Sequence, residues 1–168
     1  REKLMKMYTV FASIKLMGDK NKDPSWVLKK HISTKERLEF YPEIYSRVLN
    51  GFEKEKLTIF DLGAGINGLS YNYFPFTLDY IGIEAVGQLV DIMNYYFKTR
   101  GLQGWAIHES LFELEKIKKY LNQISDQKVV FLFKVLDSLE MFEKNYSKRF
   151  LLEIVPLVEK VIVSWATK

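Results

Sequence analysis

The chain is 168 residues long, 48% apolar and 27% charged, with a net charge of +4. That is enough chain for one α/β domain with a full core, and the composition is globular rather than disordered. With no cysteines and only His31 and His108, the chain has no disulfide, no cysteine nucleophile and no cysteine-held cluster, and no metal site is expected.

No apolar run approaches the roughly 20 residues needed to cross a bilayer, and no signal peptide is visible. The expected setting is therefore cytoplasmic, with no membrane partner. The charge is unevenly spread. Residues 1–57 hold 13 Lys/Arg and 8 Asp/Glu, a net of +5, whereas residues 58–168 hold 12 and 13, a net of −1. A basic segment ahead of a near-neutral one suits a polyanionic partner such as nucleic acid. A solvated lysine-rich helix face would give the same count.

Residues 1–17 place Leu4, Met5, Tyr8, Val10, Phe11, Ile14 and Leu16 at broadly helical spacing. A polar turn follows over 18–26, where Asp23-Pro24-Ser25 reads as a helix start, and helix is expected from Trp26 to about His31. In HISTKERLEFYPEIYSRVL (31–49), Ser33 or Thr34 followed by Glu36 and Arg37 has the form of a capped helix start. Leu38, Phe40, Tyr41, Ile44, Tyr45 and Val48 would form its apolar face, Pro42 a break or new start, and Asn50-Gly51 its close. Asn50 to Lys56 is a polar link, so two parts are expected: a helical basic extension, 1–57, and an α/β domain, 58–168.

The second part opens on TIFDLGAGINGLS (58–70). A short β-branched and aromatic run ends in Asp61, and glycines follow at 63, 65 and 68, which reads as buried strand, tight turn and helix start. The spacing satisfies G-x-G-x-x-G, a weak signal alone. Two acids sharpen it. Glu84 ends the next apolar run, about where a ribose-binding acid belongs. Asp61, at the mouth of the turn, would repel a pyrophosphate and favour a cationic ligand, which suits S-adenosylmethionine better than NAD.

Strands are then expected over 58–61, 79–84, 104–107, 129–133 and 160–165. The helices between them should cover 68–74, 87–98, 111–122 and 138–158. Strand–helix alternation of this kind specifies a Rossmann-like, doubly wound parallel sheet, whose ligands sit at the carboxyl ends of the strands. Asp61, Glu84, the Ser110-Leu111-Phe112 turn and Lys134 all fall at such ends.

HISTKERL (31–38), DLGAGINGLS (61–70), FLFKVLDSLE (131–140) and VIVSW (161–165) together resemble the ribosomal-RNA methyltransferases of the aminoglycoside-resistance type. The match runs from about Lys29 to Lys168. The family carries a His-x-Ser-Thr-x-Glu-Arg segment ahead of a D-x-G-x-G-x-N glycine turn. Alone, HISTKER reads as a helix cap; ahead of such a turn it takes on this further meaning. The resemblance implies a class I methyltransferase fold and transfer of a methyl from S-adenosylmethionine to N7 of a guanine in small-subunit ribosomal RNA. The implied partner is that RNA, or the small ribosomal subunit.

By position, the resemblance implies that His31, Ser33, Thr34 and Arg37 line the cofactor pocket, with Arg37 pairing with the methionine carboxylate. Asp61 and Asn67 belong to the signature of the turn, whose Gly63, Ala64 and Gly65 would lie against the methionine part. Glu84 would take the ribose hydroxyls, Ser110 and Leu111 would flank the adenine, and Phe133 and Lys134 would adjoin the transferred methyl. Lys134 is the candidate for a role in transfer, holding a phosphate or the base carbonyl, though as a residue it also reads as an exposed strand end. Asp137 reads as a helix N-cap, and Tyr71, Tyr73 and Phe74 as core or as a base-stacking wall.

The chain departs from the family in four ways, one of them that it stops at Ser164-Trp165-Ala166-Thr167-Lys168 where the family continues through a substrate-facing loop and further strands. Glu84 stands where Asp is commoner, Gly68-Leu69-Ser70-Tyr71 follow Asn67 where the family has proline and small residues, and the family's amino-terminal helical domain is larger. A small-molecule methyltransferase and a cofactor-binding module without transfer activity remain the alternatives on the same fold.

Overall fold

The computed structural model describes residues 23–30, 32–54 and 56–165. The helix expected over 1–17 and His31 lie outside the described residues, as does the side chain of Ser33. Two short helices, α1 (Pro24–Lys30) and α2 (Ile32–Lys35), lead through a 3₁₀ turn (Leu38–Phe40) into α3 (Tyr41–Val48). The strands are β1 (Leu57–Leu62), β2 (Asp79–Glu84), β3 (Gly104–His108), β4 (Gln127–Phe133) and β5 (Lys160–Ser164). Between them lie α4 (Gly87–Arg100), α5 (Leu114–Gln123), α6 (Leu136–Phe142) and α7 (Tyr146–Ile154).

The strands pair in parallel in the order β3-β2-β1-β4-β5, as the alternation of elements requires. β1 lies at the centre and all six of its residues are buried. Side chains alternate across a strand, and the two sets enter two separate cores. Leu57 and Ile59 of β1, Tyr80 of β2 and Val129, Phe131 and Phe133 of β4 face a layer containing α1, α3 and α4. Phe60, Leu62, Ile81, Ile83, Val130 and Leu132 face a layer containing α5, α6 and α7. Phe60, Phe131 and Phe150 are fully buried, each stabilising the fold by roughly 1.5–3 kcal/mol. Leu28, Tyr41, Tyr45 and Leu49 belong to the first core, so the helices before the link share their interior with the sheet.

α4 ends where Gly101, at φ +62°, supplies the left-handed residue: its amide donates to Lys98 O and the Leu102 amide to Phe97 O. Other boundaries differ from expectation. The segment after the glycine turn is not an α-helix but a 3₁₀ helix, Asn67–Tyr73. Its sequence, NGLSYNY, has low helix propensity, and the Ser70 hydroxyl donates to Asn67 O at 2.6 Å, tightening the turn. Phe74, extended ahead of Pro75, stops it. Residues 110–113 form a turn rather than the first turn of α5, with the Phe112 amide donating to the Ser110 hydroxyl.

The helix expected over 138–158 is broken into α6 and α7 at Asn145, which has φ +64°. Asp137 is not an N-cap: α6 starts after Val135, and Asp137 lies in its first turn. Tyr71 is core, its hydroxyl donating to Leu78 O, and Phe74 stacks on Tyr45.

Candidate functional site

Asp61 and Glu84 stand near the carboxyl ends of β1 and β2, and Ser110 and Lys134 follow β3 and β4; of these side chains Glu84 bonds the glycine turn. Gly63 and Gly65 adopt φ of +74° and +57°, the left-handed region open to glycine at little cost. The Gly63 and Ala64 amides both donate to Ile83 O, at 2.8 and 3.1 Å, folding the turn back onto β2. A Cβ on Gly63 would stand 2.6 Å from Cγ2 of Val135. Gly68 serves packing instead: a Cβ there would lie 2.7 Å from the Phe97 ring.

Glu84 is half-buried and stapled to this turn. Its Oε2 accepts from the Gly65 amide at 2.8 Å and its Oε1 from the Val86 amide at 2.9 Å. Burial nonetheless raises its pKa, because desolvation outweighs the backbone donors of Gly65, Val86 and Ala85. A carboxylate offers about four acceptor positions, so capacity remains on both oxygens for a vicinal diol.

Asp61 corrects a simple expectation. Its carboxylate is not displayed at the mouth of the turn but buried, 1% exposed, with Oδ2 accepting from Tyr80 Oη and Asn67 Nδ2, each at 2.7 Å. Alternation along β1 explains this: Asp61 shares the face of Leu57 and Ile59, under α3 and the 3₁₀ segment. Desolvation raises its pKa. Asn67, also 1% exposed, uses its whole amide. Nδ2 reaches Asp61 and, at 3.3 Å, Tyr45 Oη, while Oδ1 accepts from Tyr41 Oη at 2.6 Å and from Arg37 Nη2 at 3.5 Å. Tyr45 Oη also lies 2.6 Å from the Ser70 hydroxyl. Burial raises the pKa of Tyr41, Tyr45 and Tyr80, so all three stay protonated.

Arg37 lies over this network. Its guanidinium sits 4.7 Å from the Phe133 ring centre and 6.0 Å from that of Tyr41. Its Nε and Nη1 are buried and have no hydrogen-bond partner. Nε brings one N–H and Nη1 two, so three of the five guanidinium donors are unused. Thr34 lies in α2 rather than at its cap, and its hydroxyl donates to Leu28 O at 2.7 Å, closing the end of α1. Thr34 is thus brought near Arg37 as a structural element.

Lys134 takes φ +59°, a left-handed backbone unusual for lysine. Its ammonium pairs with the Glu36 carboxylate, and this pairing lowers the Glu36 pKa. The bridge links the segment before α3 to the end of β4, with Arg37 and Phe133 as the adjoining residues on its two sides. Leu111 is buried, and its carbonyl accepts from Tyr146 Oη at 2.6 Å. His108, exposed, bonds the Ala85 carbonyl at 3.0 Å and stays outside the cluster.

Tyr41, Tyr45 and Tyr80 are the participants that the sequence reading missed. It placed the first two on an apolar face, which is correct for their rings and says nothing of their hydroxyls. The available signal was a buried acid on β1 that needs donors.

A five-stranded parallel sheet in this order, with a glycine turn after β1 and an acid ending β2, is the class I methyltransferase form of the Rossmann-like fold. No protein-family model matches the chain, and no curated protein matches it in sequence. In three dimensions it is similar to the 16S rRNA methylase RmtB, with TM-score 0.72, 16% identity, and cover of 93% of this chain and 62% of that one. It is also similar to the 16S rRNA methylase ArmA, with TM-score 0.68, 20% identity, and cover of 92% and 76%. A third is the 16S rRNA methyltransferase RmtF in complex with S-adenosyl-L-homocysteine, with TM-score 0.60, 21% identity, and cover of 88% and 53%. The chain thus spans 62% of the length of RmtB, and at these identities the likeness is one of fold.

Proposed function

We propose that the chain is an S-adenosylmethionine-dependent methyltransferase acting on RNA, with a guanine N7 of small-subunit ribosomal RNA as acceptor. The observation that carries the cofactor reading is Arg37, a half-buried guanidinium over Phe133 with Nε and Nη1 unpartnered, near the turn that Glu84 staples. A buried donor without an acceptor costs about 1–3 kcal/mol, so these N–H groups call for an anionic partner, and a carboxylate matches their geometry. The names of the three similar structures, and the homocysteine cofactor product bound in one of them, support the same reading.

The cofactor supplies a methyl group on a positively charged sulfur. In this reading Arg37 binds its carboxylate, joined by His31 and Ser33 on the amino-terminal side, while Thr34, its hydroxyl committed to Leu28 O, supports that segment. The Gly63-Ala64-Gly65 backbone and the Asn67 signature position frame the amino-acid part. Glu84 accepts from the ribose hydroxyls with its unused lone pairs, and Ser110 and Leu111 flank the adenine. Phe133 walls the methyl.

Guanine N7 carries an unprotonated lone pair, so transfer needs alignment rather than a general base. The protein's acids at the turn accord with this, because Asp61 and Glu84 are both held in internal hydrogen bonds. Lys134, exchanging Glu36 for a phosphate or the base carbonyl, would hold the acceptor. The basic part, 1–57, would meet the RNA backbone, with Lys29, Lys30 and Lys35 exposed on the helices that carry Arg37 toward the site.

The test is calorimetric titration with S-adenosylmethionine and S-adenosylhomocysteine, with NAD as control. Methyl transfer to small ribosomal subunits follows, mapped by borohydride–aniline cleavage at N7-methylguanine. Micromolar binding and a single cleavage position are expected. Absence of binding, or tighter binding of NAD, refutes the cofactor reading; binding without transfer to any RNA refutes the acceptor.

A further inference from the structure

Six buried polar side chains, Tyr41, Tyr45, Asp61, Asn67, Ser70 and Tyr80, form one connected network beneath the candidate site, more than the packing of an apolar core calls for. Its wiring has a direction. Asp61 Oδ2 accepts from both Asn67 Nδ2 and Tyr80 Oη. With Oδ2 as acceptor, the amide nitrogen of Asn67 faces Asp61 and the amide oxygen is turned the other way. That oxygen meets Tyr41 Oη at 2.6 Å and Arg37 Nη2 at 3.5 Å. Tyr41 in turn donates its only proton to Asn67 and presents its ring to the guanidinium, 6.0 Å away. Arg37 is therefore held at one nitrogen by Asn67, and between the rings of Tyr41 and Phe133, while Nε and Nη1 are left to a ligand.

We propose that Tyr41 and Asn67 are positioning residues that aim Arg37 at a ligand carboxylate, with Asp61 setting the orientation of the Asn67 amide. Tyr41 does two things at once: its hydroxyl locks Asn67 Oδ1 in place, and its ring limits where the guanidinium can swing. The assignment rests on the cofactor reading above and adds to it a control over one end of the ligand only. The adenosine end is held elsewhere, by Glu84 and the turn after β3, which share no hydrogen bond with Tyr41. The network thus predicts a selective defect, whereas a purely structural network predicts a general one.

The experiment compares two ligands of the same protein. S-Adenosylhomocysteine has the carboxylate; 5′-methylthioadenosine keeps the nucleoside and the sulfur without it. Calorimetric titration of Tyr41→Phe should show homocysteine-conjugate affinity falling by about tenfold, the scale of one good hydrogen bond, with methylthioadenosine unchanged. In an Arg37→Ala background the same substitution should cost nothing further. Tyr80→Phe serves as a control, because it removes an equally buried hydroxyl from the same network without touching Asn67 Oδ1. It should lower thermal stability and leave the preference between the two ligands intact.

Equal loss of both ligands in Tyr41→Phe, a loss that adds to that of Arg37→Ala, or the same selectivity change in Tyr80→Phe would overturn the positioning assignment alone. A wild-type protein that binds neither ligand would remove the cofactor reading, and this assignment with it.

Discussion

Replacing Arg37 by alanine separates affinity from stability in a way that few substitutions do. A bidentate charge-assisted contact to a carboxylate contributes about 2–3 kcal/mol. At 1.4 kcal/mol per tenfold, its loss weakens S-adenosylhomocysteine by roughly 30- to 150-fold. The ligand-free protein behaves differently. It loses the guanidinium–aromatic contacts with Phe133 and Tyr41, about 0.5–2 kcal/mol together. It also sheds two buried nitrogens without partners, whose desolvation costs about 1–3 kcal/mol. These effects oppose each other, so stability should change by no more than about 1 kcal/mol, a melting shift of roughly 2–4 °C. Titration calorimetry and a thermal melt on the same preparation measure both quantities. A melting temperature lowered by about 10 °C, or an affinity unchanged within about threefold, would refute the reasoning, since either would make Arg37 a structural arginine.

Asp61→Asn should change how stability depends on pH. Burial holds the folded pKa of Asp61 above its ordinary value of 3.8, so its contribution to stability is present below that value and is lost as pH rises through the folded pKa. The neutral variant escapes this loss, and its melting temperature relative to wild type should climb with pH above 3.8; a constant difference across pH 3 to 8 would contradict it. Gly63→Ala forces a Cβ to within 2.6 Å of Val135 at φ +74° and should destabilise by about 2 kcal/mol or more, read as a fall in denaturant midpoint. Lys134→Gly relieves a left-handed backbone worth about 1 kcal/mol. The variant should therefore melt no lower than wild type while methyl transfer to small subunits falls at least tenfold; a stable, fully active variant would remove Lys134 from the site.

Much of this architecture was legible because it depends on local pattern. The glycine turn, the acid ending β2 and the continuous apolar run of β4 each announce themselves within a dozen residues, and parallel order follows from their alternation. What escaped depends on distance in the chain. Tyr41 and Tyr45 sit at helical spacing among apolar residues, and nothing local shows that their hydroxyls meet Asn67 and Ser70 some 25 residues later. The motif alone points the Asp61 carboxylate at a ligand, because the turn carries no information about which face of β1 it lies on. Counting faces from Ile59 would have sent it inward, beneath the 3₁₀ segment. The glycine motif usually opens an α-helix, but NGLSYNY lacks the residues to sustain one and forms a 3₁₀ segment instead.

The pairing of Glu36 with Lys134 and the seating of Arg37 on Phe133 join parts of the chain nearly a hundred residues apart. During synthesis the amino-terminal helices emerge first, yet the surface against which Arg37 rests does not exist until β4 has been made and has added itself to β1. The turn and Glu84 can assemble well before then, from β1 and β2 alone. The seat of Arg37 therefore depends on the closure of a long loop of chain, not on residues that are local to it.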